Sequence, residues 1–150
     1  MTRGLIKDLS PARQTRLRAS IGSDHRLDWG TLFFDGQFNL PLTQENAGIF
    51  KQALEMVRIA PSASNKQPWR IVRKDGLFHF YLKRTIGYRN KVTTMLAISD
   101  MQRLDMGIAM CHFDLTVRAL DLDGKWETQD PGSETGNFAT EYCFSWREDS

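Results

Sequence analysis

Apolar residues at Ala47, Phe50, Leu54 and Val57 recur at helical spacing, and Met56 and Ile59 widen the stripe. That pattern predicts a helix with one buried face. Thr43 is its expected N-cap, Glu45 in the first turn suits the positive helix end, and Pro61 should stop it, because the residue before a proline is pushed out of the helical region. The pattern then changes to alternation. Trp69–Lys74 and Leu77–Lys83 predict two strands joined by Asp75-Gly76, a two-residue turn whose members tolerate positive φ. In the second strand Phe78, Phe80 and Leu82 share one face, and His79, Tyr81 and Lys83 the other. Downstream, Leu104, Ile108, Cys111, Leu115 and Leu122 form an apolar seam on a long helix that Ser99 and Asp100 should open. Lys125–Asp130 and Ala139–Arg147 predict the last strands, with Tyr142, Phe144 and Trp146 alternating against Cys143, Ser145 and Arg147.

Before residue 41 the pattern is thinner. Ser10-Pro11 predicts a helix start, and a narrow stripe of Ala12, Leu17, Ala19 and Ile21 carries the helix to Gly22. Leu27–Phe34 then gathers Trp29, Leu32, Phe33 and Phe34, which either plug the side of the core or form a docking seam, with Trp29, Phe33 and Phe34 its candidates. The expected organisation is a basic N-terminal helix and aromatic connector over 1–40, followed by an α+β domain over 41–150. In that domain two or three helices pack on a small, mostly antiparallel sheet built from two strand pairs. A chain of 150 residues can bury about 68–70% of its unfolded surface, enough for one core.

Composition narrows the function. A net charge of +2 is too small to argue for nucleic acid, although basic residues crowd the N-terminal stretch and acidic ones the C-terminal stretch. No apolar run approaches the roughly 20 residues of a membrane span, and the first residues lack the apolar core of a signal peptide. Cys111 and Cys143 have no metal spacing and are expected as buried free thiols, which points to a reducing, cytoplasmic setting. No metal cluster, carboxylate pair or Ser-His-Asp set stands out, so no catalytic residue is assigned. His79 is expected as a surface histidine and His112 as a helix-packing one. Arg84, Tyr88, Arg89 and Lys91 are expected on a solvated loop or short helix.

The densest chemistry is Ala60–Trp69, where Pro61 and Pro68 bracket small and amide residues. Such a loop can be a self-satisfied connector, or it can let something flat and polar-edged lie against backbone. Pro61-Ser62-Ala63-Ser64-Asn65-Lys66-Gln67-Pro68-Trp69 resembles the helix-end loop of the nitroreductase family. Leu104-Asp105-Met106-Gly107-Ile108-Ala109 resembles that family's long helix. The helix should end in a turn with two glycines, of which Gly124 alone is present, with Asp121 and Asp123 flanking Leu122. The likeness spans about Pro41–Trp146 and is strongest to the C-terminal half of single-chain nitroreductases with two halves.

The resemblance implies an FMN-dependent oxidoreductase that takes electrons from NAD(P)H and passes them to a small-molecule acceptor of the nitroaromatic or quinone type. In the family this loop meets the flavin from across a subunit or half-to-half interface. Carried over by position, Pro61, Ser62, Ala63 and Asn65 would touch the ring or its polar edge, and Gln67 would fix the loop or join them. The family's phosphate-binding arginines have no match here. The chain should therefore need a second copy or a missing N-terminal half to complete the site. Two alternatives come from other classes. One is a non-catalytic interaction or assembly module that keeps the fold without flavin. The other is a single-stranded RNA binder stacking bases on Tyr81 and Trp69.

Overall fold

The computed structural model describes residues 11–12, 16, 22, 24–84, 92–132 and 140–150, and of 92–100 the backbone alone. The expected helix after Ser10 lies almost wholly outside the described residues, and Tyr88, Arg89 and Lys91 lie outside them entirely. In chain order the elements are α1 (Trp29–Leu32), β1 (Phe33–Asp35), α2 (Gln44–Ala47), α3 (Lys51–Ile59), β2 (Trp69–Lys74), β3 (Leu77–Lys83), α4 (Val92–Ala119), β4 (Gly124–Glu127) and β5 (Thr140–Glu148). Short 3-10 turns occupy Gly48–Phe50 and Ala63–Asn65. The fold is α+β.

The five strands form one sheet in the order β1-β2-β3-β5-β4. β1 runs parallel to β2, and the other neighbours are antiparallel. The sheet therefore has one strand more than the two predicted pairs. That strand comes from the aromatic connector: Leu32 and Phe33 are fully buried, and Phe33 pairs with Ile71. Phe33 is thus no part of an exposed seam. Its burial is what an apolar, β-prone residue gains by adding to a sheet edge. Trp29 is half-buried, stands edge-on to Phe33 at 4.6 Å, and donates its indole N–H to the Leu42 carbonyl at 2.6 Å.

The hairpin forms as the alternation predicts. Asp75 and Gly76 take φ of 52° and 77°, the mirror-image turn that matches strand twist. Phe78 and Phe80 enter an aromatic core with Phe113 of α4 and Trp146 of β5, at centroid separations of 5.3–5.4 Å to Phe113. The opposite face is also covered. Tyr81 is fully buried beneath Phe38, and His79 is 4% exposed. Trp69 and Tyr81 therefore cannot serve as stacking platforms for RNA. His79 is no surface residue: its Nδ1 lies 2.6 Å from Ser145 Oγ, which lies 2.7 Å from Tyr142 Oη. Burial first, then the Lys74 charge, holds its pKa below the usual histidine value, favouring the neutral ring.

Strict alternation fails in β5. Phe80 pairs with Phe144 and Tyr81 with Tyr142, so Cys143 is an extra residue in a bulge. The bulge moves Tyr142 to the face opposite Phe144 and Trp146, where it meets Tyr81 at 5.7 Å. Burial pushes the Cys143 thiol up to about 11, whereas Cys111 is exposed rather than buried.

The helices also depart from their predicted limits. Thr43 does cap, its Oγ1 accepting the Asn46 N–H at 3.1 Å. The helix then breaks at Gly48, which turns to φ +56°, and resumes as α3. Ala47, Phe50, Leu54 and Val57 are buried, while Ile59 is 42% exposed. Ser99 and Asp100 lie inside α4, which begins at Val92. The face α4 turns to the core carries Gln102, Asp105, Met106, Ala109, Phe113 and Val117. Leu104 and Leu115 of the predicted seam are 71% and 63% exposed. His112 packs within the helix, its ring N–H donating to the Ile108 carbonyl at 2.9 Å.

α4 ends in a Schellman turn, with Leu122 N–H on the Val117 carbonyl and Asp121 N–H on that of Arg118. Asp121, at φ 57°, takes the left-handed place that a glycine would fill. Gly124 has a different reason to be glycine. A Cβ there would run into the Trp146 indole and come within 2.5 Å of the Arg147 carbonyl. Gly124→Ala should therefore lower unfolding stability by about 1–3 kcal/mol, the range for forcing extra volume into a packed core. Urea denaturation measures it, and an unchanged midpoint would mean that β4 does not press on Trp146.

Candidate functional site

α3 ends where Pro61 demands. Ala60 turns to ψ 148°, and the chain enters the loop extended. Ser64, Asn65 and Gln67 then take φ of 49°, 53° and 47°. Non-glycine residues adopt the left-handed region rarely and singly, at a cost of about 1–3 kcal/mol each when the conformation is strained. Three in four positions persist only if the surroundings hold them.

Two sets of contacts do so. On one side the carboxylate of Asp105, on α4, accepts the Ala63 N–H with both oxygens, at 3.0 and 3.2 Å. Asp105 is 3% exposed. Burial raises its pKa above the ordinary carboxyl value of 3.8, and the Ala63 N–H opposes that rise. On the other side the amides of Asn65 and Gln67 bind the segment before α1. Gln67 Oε1 accepts the Leu27 N–H at 2.8 Å, and Gln67 Nε2 donates to the His25 carbonyl and to Asn65 Oδ1, each at 3.2 Å. Asn65 Nδ2 donates to the carbonyls of Gly22 and His25, and Asn65 Oδ1 accepts from Arg26 Nη1 at 3.2 Å. Within the loop, Ser62 Oγ accepts the Gln67 N–H at 2.9 Å, which leaves the hydroxyl its own proton to donate.

The five residues singled out in the sequence thus divide into two groups. Gln67 is buried, and Asn65 is half-buried, with its amide turned onto the neighbouring segment. Both act as fasteners. Pro61 is exposed, and Ser62 and Ala63 are half-buried; with the exposed Ser64 they make the outward edge of the loop. That edge has little side-chain bulk and one hydroxyl donor, so a flat ring could rest against it.

Three holding residues went unassigned in the sequence reading. Asp105 was visible in the helix motif, but nothing in the sequence paired it with the loop. Arg26 lies across the loop, donating through Nε to the Ile59 carbonyl at 3.3 Å as well as to Asn65. Arg70, at the start of β2, is 8% exposed and donates to the carbonyls of Gln67 and Trp69 at 2.9 and 2.6 Å. Burial lowers its pKa to about 10, so it stays a cation at neutral pH. Arg84 pairs with Glu141. Among the described residues no group of His, Cys, Asp and Glu could hold a metal ion, and no helix is long and apolar enough to cross a membrane.

The family model described as "Putative TM nitroreductase" matches residues 41–117, a little over half of the 150. The chain belongs to the nitroreductase family. The matched span runs from the approach to α2 almost to the end of α4. It contains both the loop and the aspartate that holds it. No curated protein and no solved structure matches the chain. The family makes the chain an oxidoreductase-type domain.

The charge on Asp105 gives a signed test. Its raised pKa means that the folded protein holds this proton more tightly than the unfolded chain does. Stability from this group is therefore present below 3.8 and is lost as pH rises through the folded value. Asp105→Asn keeps an acceptor for Ala63 without the buried charge. It should be more stable than the parent at neutral pH, with the difference shrinking to nothing as pH falls below the carboxyl range. Asp105→Ala strands the Ala63 N–H and should be about 1–3 kcal/mol less stable than Asp105→Asn. Urea unfolding of the three proteins across acid and neutral pH checks both statements.

Proposed function

We propose that this chain acts in an FMN-dependent NAD(P)H oxidoreductase, taking electrons from a reduced nicotinamide and passing them to nitroaromatic or quinone-type acceptors. The observation that carries the reading is the loop. A family-matched segment holds three left-handed residues against Asp105, with its amides spent on fastening and its slender edge facing outward. A connector with no ligand to meet has no need of so costly a shape. FMN would supply the redox chemistry, while the protein contributes binding, orientation and electrostatics.

The residues present fit one side of such a group. Pro61, Ser62 and Ala63 would lie against the ring, Ser62 offering its hydroxyl proton to a polar edge. Asn65 and Gln67 would act one step back, keeping that edge in shape. Arg26 adds a cation beside the loop, in reach of an anionic substituent. The reading includes a second copy, or an N-terminal half, that closes the site and excludes water from the ring.

The test is a titration of the purified chain with FMN, followed by visible absorbance and fluorescence quenching. The expected result is saturable binding, bleaching of the bound colour by NAD(P)H, and its return on adding a nitroaromatic or quinone. Ser62→Ala should weaken FMN binding about 3- to 10-fold, the worth of one hydrogen bond. A folded chain that leaves FMN unaltered at every concentration would sink the enzyme reading and favour a non-catalytic assembly module.

A further inference from the structure

Arg70 is a cation that the fold takes out of water without supplying a counter-charge. It stands on β2 opposite Tyr81 of β3, so its side chain leaves the sheet on the face away from Phe78, Phe80 and α4. The residue is 8% exposed. Burial alone moves its pKa, and no carboxylate acts on it from nearby. An arginine keeps its charge in such a place, at a large cost in solvation when that charge is unpaired.

The hydrogen bonds use only part of the group. A guanidinium carries five N–H donors in one plane. The two on Nη1 go to the carbonyls of Gln67 and Trp69, at 2.9 and 2.6 Å. Nε and Nη2 meet no acceptor among the described residues. These two nitrogens form one edge of the plane, the fork that takes two oxygens of a carboxylate or phosphate in parallel bonds. Neither is sealed from solvent, so an ion can reach them.

Backbone carbonyls alone do not call for a charged donor. In the same loop the neutral amides of Asn65 and Gln67 serve the carbonyls of Gly22 and His25. The surroundings of Arg70 add positive charge instead of cancelling it. Lys83 shares the Tyr81 face, is exposed, and is anchored beside the loop by its N–H on the Pro68 carbonyl at 2.7 Å. Glu141, across the sheet on β5, is engaged by Arg84 and Arg103.

We propose that Arg70 is a binding site for a small oxyanion, a phosphate or carboxylate group gripped side-on by Nε and Nη2. The same rigid plane holds Gln67 and Trp69 through Nη1, so a bound anion steadies the exit of the loop from behind. The site is separate from the outward edge of Pro61–Ser64, which is tied to α4 on the other face of the sheet. It does not rest on the flavin reading.

The experiment is an NMR titration of the full chain without flavin. It follows the Nε–H signal of Arg70, assigned through that residue's own backbone amide, and the amides of Gln67 and Lys83. Inorganic phosphate and, separately, acetate are added at constant ionic strength against a sodium chloride reference. The Arg70 signal should move saturably with phosphate, acetate or both, and not with chloride. The anion that acts at the lower concentration gives the ligand class. Arg70→Lys keeps the charge and loses the fork, so it should bind that anion at least about tenfold more weakly, the worth of one charge-assisted bond. Lys51→Gln, on α3, should leave binding unchanged. The titration of the parent decides the matter even if Arg70→Lys does not fold. An Arg70 signal that neither anion moves overturns the proposal. So does one that chloride moves equally, or an Arg70→Lys chain that binds as tightly as the parent.

Discussion

A buried carboxylate holds this molecule's unusual loop in place. Asp105 sits inside α4 with almost no exposure, and both its oxygens face one backbone N–H, that of Ala63. Placing a charge there is costly, and the raised pKa records that cost. The return is positional. The long helix is fixed to the sheet by Phe113, and Asp105 transfers that rigidity to a loop whose left-handed residues would otherwise relax. The amides of Asn65 and Gln67 complete the hold from the side of residues 22–27. The edge left over, Pro61 to Ser64, is shaped in advance of any ligand, so little ordering remains to be done on binding.

Much of the fold was legible in the sequence because single residues dictated it. Pro61 ended α3, Thr43 capped α2, and Asp75-Gly76 closed the hairpin, each through local backbone chemistry. The misreadings share a cause. The sequence shows which residues are apolar but not which face the core takes. In α4 the regular stripe of Leu104 and Leu115 looked like the seam, yet the core chose Met106, Ala109, Phe113 and Val117, and buried Gln102 and Asp105 among them. In β5 one extra residue, Cys143, reversed the side of Tyr142. His79 was assigned to solvent because β3 alternates, but His79 and Tyr81 on that face are both buried. The site was legible as a motif and not as a mechanism: the loop stood out, while the division between residues that fasten and residues that face outward needed Asp105, Arg26 and Arg70 in place.

The two sides of α4 have different duties. The inner side carries the aromatic core and the carboxylate that shapes the loop. The outer side carries Met101, Leu104 and Leu115, which are exposed among the described residues. The loop and the helix are joined through the Ala63–Asp105 bond.

Amide hydrogen exchange at Ala63 and Gln67, in the chain without any ligand, tests most directly whether the loop is shaped in advance. Both N–H groups are held by side-chain acceptors, Asp105 and Ser62. Strong protection at both, lost at Ala63 in Asp105→Ala, is the result this account predicts. Exchange at both sites as fast as in the unfolded chain would contradict it.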